Sequence, residues 1–295
     1  MKASLISDFP GHGAAIYKIQ ALGSKLFSCS SDKMLASWDV VKREPAPFSV
    51  KAESGLYTFH ISSERLFLGG TSGHLNIIDL ELKKEIKNLK LHMKGVYSIL
   101  PLKAKDLIVT GGGDGMVHFL EYSSLELIRS IKLGEFKVRD IHYFDDLNSV
   151  MLACGDGRIR EIELEYYNEV HALNASEESI NTLAHFKRKN LLVSAGKDGF
   201  ISFWRLDNRE KVVSFPAHYM AIYDVKFNNS ETYFVTCSRD KSIKVWDANT
   251  LEVIDKIERR THKGHSHSVN SVEWLDDHTF ISAGDDKIIK EWKLS

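Results

Sequence analysis

One short phrase recurs along the whole chain and constrains its fold more than any other feature. The phrase is an apolar run, a few small residues, an Asp, an aliphatic residue three positions later and then, in the strongest copies, a Trp. Aligned on that last position, the copies fall at Trp38, Ile78, Leu120, Ile162, Trp204, Trp246 and Trp292, with spacings of 40, 42, 42, 42, 42 and 46 residues. Self-similarity at a fixed period indicates a repeat architecture in which each copy is one supersecondary unit.

Each copy contains short β-rich runs separated by Gly, Asp and Ser turns, without sustained helical periodicity. Four antiparallel strands per repeat is the composition of one propeller blade. The seven copies therefore predict an all-β fold, a seven-bladed β-propeller of four-stranded antiparallel blades that forms a single domain over residues 1–295. The expected blades cover approximately residues 11–51, 52–91, 92–133, 134–175, 176–217, 218–264 and 265–295, the last together with 1–10.

Two dipeptides within the copies point to a known family. Trp38-Asp39 and Trp246-Asp247 end two of the copies, and Gly11-His12 and Gly264-His265 lie at matching positions ahead of the phrase. With these residues the whole chain resembles the WD-repeat family. The resemblance implies a seven-bladed propeller that binds other macromolecules.

The two ends of the chain predict how the last blade is completed. Residues 5–12 resemble residues 212–218, where one blade runs into the next, and the last copy stops at its Trp strand. We therefore expect residues 3–9 to supply the outer strand of blade seven, so that the N-terminal strand closes the propeller and removes a free sheet edge.

The charge balance argues against two classes of partner. Lys and Arg number 39 against 40 Asp and Glu, so no global field draws the chain to nucleic acid or to an acidic membrane. No apolar stretch is long enough for a signal peptide or a membrane span. We expect a soluble, intracellular protein of the cytoplasm, with Cys29, Cys154 and Cys237 as buried free thiols.

Three copies carry a complete set of His, Ser or Thr, Asp and Trp, namely His12, Ser28, Asp32 and Trp38; His218, Thr236, Asp240 and Trp246; and His265, Ser282, Asp286 and Trp292. Ser, His and Asp together suggest a hydrolytic triad. The set nevertheless recurs in phase with the repeat and is often degraded, which catalysis in one cleft would not require. We therefore expect a buried structural network and no catalytic residue, enzyme activity or cofactor.

The His-rich segment 262–267 leaves a metal site open as an alternative. His265 belongs to the expected network, and His262 and His267 lie in a loop of small and basic residues. We predict no metal site there.

A partner surface is predicted five residues after each His position, where the resemblance implies side chains around the mouth of a central channel. These positions hold Tyr17, Tyr57, Tyr97, Arg139, Asn181, Tyr223 and Asn270, and the residues before the turn Asp add Lys197, Arg239 and Asp285. Tyr and Arg are enriched in interface hot spots. Packing of each Tyr against the neighbouring blade is the structural alternative.

Basic residues near this surface suggest the chemistry of the partner. Lys137, Lys197 and Arg239 predict a basic sector over blades four to six, while Asp285 makes the face mixed. Arg259, Arg260 and Lys263 lie in the longest connection beside that sector. An acidic peptide segment is the first ligand to test. A solvated loop without a partner is the alternative for that connection.

These observations predict a protein–protein interaction scaffold or adaptor that binds a peptide or protein on the tyrosine-rich face. Small-molecule binding or catalysis at the mouth of the central channel is the alternative, because propellers also carry enzymes. Nucleic-acid binding is disfavoured by the neutral charge balance, and the basic sector keeps it as a second alternative. We expect no membrane partner, and a monomer when the chain is alone.

Overall fold

The computed structural model describes all 295 residues and contains 28 strands. They form seven four-stranded antiparallel sheets, each a meander of neighbouring strands. The predicted fold class, an all-β seven-bladed β-propeller, is confirmed. The single domain over residues 1–295 and its exact blade limits stay predictions.

The chain divides into two compact units, residues 53–183 and residues 1–52 with 184–295. The first unit contains blades two to four. Their strands are β6 Leu56–Ile61, β7 Arg65–Gly70, β8 His74–Asp79 and β9 Lys84–Lys90; β10 Val96–Leu102, β11 Leu107–Gly112, β12 Met116–Glu121 and β13 Leu127–Lys132; β14 Val138–Phe144, β15 Ser149–Cys154, β16 Arg158–Glu163 and β17 Glu169–Asn174.

The second unit contains blades one, six and seven and most of blade five, whose first strand crosses the unit boundary. Its strands are β1 Ala3–Pro10; β2 Ile16–Leu22, β3 Lys25–Ser30, β4 Met34–Asp39 and β5 Glu44–Lys51; β18 Ile180–Phe186, β19 Leu191–Gly196, β20 Phe200–Arg205 and β21 Lys211–Pro216; β22 Ile222–Phe227, β23 Tyr233–Ser238, β24 Ile243–Asp247 and β25 Val253–Ile257; β26 Val269–Trp274, β27 Thr279–Gly284 and β28 Ile288–Leu294.

The helical content is small. Three 3₁₀ turns cover Lys103–Lys105, Asp145–Leu147 and Lys187–Lys189, and one four-residue helix, α1, covers Arg259–His262. The sequence pattern predicts no helix, and α1 lies in the connection that lengthens the last repeat spacing. His262, in this helix, pairs with Asp255 at 3.3 Å.

The two middle strands of each blade are largely buried, and the second strand is buried on both faces. All six residues of β11 and of β15 are buried, whereas the outer strands β13 and β17 expose most of theirs. Apolar side chains of adjacent blades meet in shared clusters: Val109 with Val138 in one unit, and Val235 with Val272 in the other. This burial between blades explains why the middle strands read as continuous apolar runs.

Strand β1 completes blade seven. It pairs antiparallel with β28 from Ala3↔Leu294 to Pro10↔Ile288, and Phe9 is 2% exposed. The Ala3 N–H also donates to the Asp255 carboxylate of blade six at 2.8 Å. The predicted closure by the N-terminal strand is confirmed.

The first strand of six blades carries a β-bulge near its start. In six blades the register shifts across one residue, which is Tyr17, Tyr57, Tyr97, Arg139, Tyr223 or Asn270. A bulge leaves one residue outside the ladder and redirects its side chain. Six of the seven residues predicted from the position after the His are therefore bulge residues.

Removal of residues 1–10 should lower the melting temperature by roughly 10 °C or more, because it exposes the edge of β28 and the cluster around Phe9. Phe9→Ala alone should cost about 3–5 kcal/mol of unfolding free energy. Ser4→Ala, at an exposed position of the same strand, is the control and should leave the melt almost unchanged. Equal melting temperatures for the truncated and full chains would contradict the role of β1.

Candidate functional site

The His, Ser or Thr, Asp and Trp side chains of blade one form a continuous hydrogen-bonded chain. The two ring nitrogens of His12 lie 2.9 Å from Asp32 Oδ2 and 2.8 Å from Ser28 Oγ. The indole N–H of Trp38 donates to the same Ser28 Oγ at 2.9 Å. This geometry links the loop before the blade to its second and third strands.

The same arrangement recurs in blades six and seven. The distances from the His to the Ser or Thr are 2.8 and 2.7 Å, from the His to the Asp 3.0 and 2.9 Å, and from the Trp to the hydroxyl 2.9 and 2.8 Å. The residues are His218, Thr236, Asp240 and Trp246, and His265, Ser282, Asp286 and Trp292.

The hydroxyls of these networks have no access to a substrate. Ser28, Thr236 and Ser282 are 0% exposed, and each oxygen receives a Trp N–H as well as facing a His. A nucleophile must reach a reacting carbonyl and have a nearby oxyanion site. The geometry therefore links strands and does not resemble an acylation site.

The networks shift the pKa values of their members. Burial alone would raise the pKa of Asp32, Asp240 and Asp286, but hydrogen bonds from the His and from backbone N–H groups outweigh it and hold each pKa below the ordinary value. Burial lowers the pKa of His218 despite its Asp partner. The buried His218–Asp240 pair is therefore a carboxylate with a neutral imidazole.

Blade three keeps the His and replaces the Trp. His92 bonds Thr110 and Asp114 at 3.0 Å each, while Leu120 is fully buried where the Trp would be. A second ring, His118, lies 4.6 Å from His92 between ring centroids. Burial and the nearby His92 lower the pKa of His118 to about 4.

Blade five keeps only part of the network. Trp204 donates its indole N–H to Ser194 at 2.9 Å, and Asp198 accepts the Phe200 N–H at 3.0 Å. Ser176 stands where the His would be.

Blade four has no His at the expected position, and an arginine that the sequence analysis did not predict bonds the turn Asp in its place. Gly134 stands at the His position, and the Arg160 guanidinium donates two bonds to Asp156, at 2.9 and 2.7 Å. The Phe136 ring covers Arg160, with its centroid 4.6 Å from Cζ. A basic residue two positions before the Trp position, in a copy that lacks the His, was the signal that could have found this pair.

Two of the predicted contact residues stack within the unit of residues 53–183. The Tyr57 and Tyr97 rings lie 4.8 Å apart at an interplanar angle of 16°. Gly95 makes room for this pair, because a Cβ there would lie 2.6 Å from the Tyr57 ring. The bulge residues of blades two and three thus form one aromatic surface, and both rings are half-buried.

Two cations lie on the same aromatic pair. Lys137 Nζ lies 5.0 Å and Arg139 Cζ 5.3 Å from the Tyr97 ring centroid. Neither forms an ion pair with a carboxylate, and Arg139 Nε is buried without a hydrogen-bond partner. Burial and the Arg139 charge lower the pKa of Lys137, and burial together with Tyr97 raises that of Tyr57. The cluster of Tyr57, Tyr97, Lys137 and Arg139, called here the cation–tyrosine cluster, carries positive charge without a counter-ion.

The remaining predicted contact residues have other surroundings. Asn270 donates to the Ile16 carbonyl and to Asp285, at 2.8 Å each, so these side chains hold parts of the second unit together. Asn181 accepts a bond from Ser179. Tyr17 and Tyr223 are half-buried, and Lys197 and Arg239 are exposed.

The structure places no three His, Cys, Asp or Glu side chains where they could hold a metal ion. His265 is bonded to Asp286, His262 pairs with Asp255 and His267 contacts Ser266. The three cysteines are buried and unpaired. No helix is long and apolar enough to cross a membrane.

Comparison with known families matches three segments of the chain. A family model described as WD domain, G-beta repeat covers residues 167–205, 209–247 and 257–293. These segments are WD40 repeats. The predicted resemblance is confirmed, and the repeats belong to a class of propellers that generally serves as a scaffold for protein interactions. No curated protein matches the chain significantly.

Acidification should destabilise this propeller below about pH 6.5. Burial lowers the pKa of His92 and His218 from 6.5, and that of His118 to about 4. Because the folded chain then binds fewer protons than the unfolded chain, stability is complete above the unfolded value and is lost as the pH falls toward 4.

Thermal melts between about pH 7 and about pH 4.5 measure this loss. The His118→Gln variant should show a shallower decline, because it removes the side chain whose pKa is lowered to about 4. A melting temperature that is constant over this range would contradict the buried neutral histidines.

Proposed function

We propose that this chain is a protein-interaction scaffold that binds an acidic peptide segment of a partner through the cation–tyrosine cluster. The observation that carries the proposal is the pair of cations, Lys137 and Arg139, on one Tyr97 ring with no carboxylate partner. An acidic side chain would supply the missing counter-charge.

The energetics favour an anion at this place. Two like charges near one ring repel each other, and the lowered pKa of Lys137 records part of that cost. A carboxylate bonded to Arg139 and near Lys137 would offset the repulsion and form charge-assisted hydrogen bonds. Acidic partners should therefore bind faster and more tightly at low salt.

The aromatic pair supplies the other half of a contact surface. Tyr57 and Tyr97 are held by their mutual stacking and by the close approach of Gly95. Rings that are already ordered lose little rotamer entropy on binding, and Tyr is enriched among hot spots for this reason. A partner residue next to the acidic one would pack on the exposed ring edges.

The proposal is tested with random dodecapeptides displayed on phage and selected on the full chain. Enriched peptides should be acidic, and their synthetic copies should bind at least about tenfold more weakly to Tyr97→Ala/Arg139→Gln, a loss of about 1.4 kcal/mol or more. Fluorescence anisotropy at low and moderate salt gives the dissociation constants, which should rise with salt.

The matched control removes two exposed cations on outer strands of the same unit, Lys84→Gln/Arg129→Gln. It should leave binding unchanged, and melts of both variants establish that they fold. Binding that ignores salt, that survives in the cluster variant, or that selects peptides without acidic residues would overturn the proposal.

A further inference from the structure

A second exposed surface lies in the other unit, around the connection between blades five and six. We call it the 217–221 loop surface: the loop Ala217–Ala221, the turn at Gly199–Phe200 and the turn at Ser238–Arg239. Tyr219 is 90% exposed, and Met220 and Phe200 are each 41% exposed. Large apolar side chains grouped at a surface often mark an interaction site.

The fold does not require these residue types. In the other six copies, the position of Tyr219 holds Gly13, Glu53, Met93, Glu135, Glu177 and Ser266. The position of Met220 holds Ala14, Ser54, Lys94, Phe136, Glu178 and His267. Only here do two large apolar residues follow each other, so the repeat itself does not account for them.

The backbone beneath these side chains is fixed from both sides. The Tyr219 N–H donates to Asp240, the Ser238 hydroxyl donates to the Met220 carbonyl at 3.2 Å, and the Arg239 N–H donates to the Ala221 carbonyl at 2.9 Å. On the other side Gly199, at φ +77°, approaches so closely that a Cβ would lie 2.3 Å from the His218 carbonyl oxygen. The exposed side chains therefore project from an ordered loop.

The charges around the loop are mainly positive. Lys256 Nζ lies 5.6 Å from the Tyr219 ring centroid, and Lys244 donates to the Ala217 carbonyl. Arg239 is exposed and forms no ion pair.

Two nearby carboxylates are already engaged. Asp240 bonds His218 and Ser242, and Glu258 pairs with Lys256 at 2.5 Å. The apolar side chains are thus bordered by Arg239, a cation without a carboxylate partner, which an acidic segment would neutralise.

We propose that the 217–221 loop surface binds a second peptide segment, one with a bulky apolar residue next to acidic residues. The apolar residue packs on Tyr219 and Met220, and the acidic residues face Arg239. A preformed loop lowers the entropy cost of such binding. The inference stands apart from the cation–tyrosine cluster, since no residue is shared.

The experiment removes the first surface before it examines the second. Random displayed dodecapeptides are selected on the full chain carrying Tyr97→Ala/Arg139→Gln. Enriched peptides should combine acidic and bulky apolar residues, and their affinity should fall at least about tenfold when Tyr219→Ser/Arg239→Gln is added. Val41→Ser/Lys42→Gln, at exposed positions of the same unit, is the matched control and should have no effect.

Three results would overturn the inference. They are the absence of any enriched peptide, enriched peptides that bind equally to the Tyr219→Ser/Arg239→Gln variant, and self-association in sedimentation that disappears with Tyr219→Ser. The last would assign the surface to a second copy of the chain. If peptides bind to the 217–221 loop surface but none binds to the cation–tyrosine cluster, the proposed function fails while this inference stands. The two failures are therefore distinguishable.

Discussion

The second strand of every blade is buried on both faces, and much of the structure follows from that constraint. Buried strands need apolar side chains on both sides, and the polar groups between them need partners. The His–Ser–Trp hydrogen bonds meet this need in blade one, and Arg160 with Asp156 meets it in blade four. Different side chains thus perform the same structural task in different copies.

The two proposed interaction surfaces lie where the repeat does not require a side chain to fill the blade. A bulge residue lies outside the hydrogen-bonded ladder, so its side chain is not needed to fill the blade. Tyr57, Tyr97 and Arg139 occupy such positions, and the inter-blade loop places Tyr219 and Met220 at the surface. The scaffold is therefore fixed by buried residues, while residues with structural freedom give each face its chemistry.

Much of the scaffold was predictable because its signals are local. The phased Trp, Asp and His positions indicate seven blades, and the similarity of residues 5–12 to residues 212–218 indicates the completion of the last blade by β1. The Arg160–Asp156 pair was not predicted, since nothing in the repeat pattern says that an arginine two positions before Ile162 turns toward the Asp. The exposed Tyr219 and Met220 were also overlooked, because they fall between the positions that repeat.

By itself the sequence determined the number of blades, the antiparallel strand pattern and the identity of the ten candidate contact residues. Only the tertiary structure decided which of them meet. Tyr57 and Tyr97 stack and Arg139 lies on Tyr97, whereas Asn270 and Asp285 bond each other. The physical reason is that residues about 40 positions apart come together through strand register and packing between blades, which depend on the whole set of contacts and not on the repeat period alone.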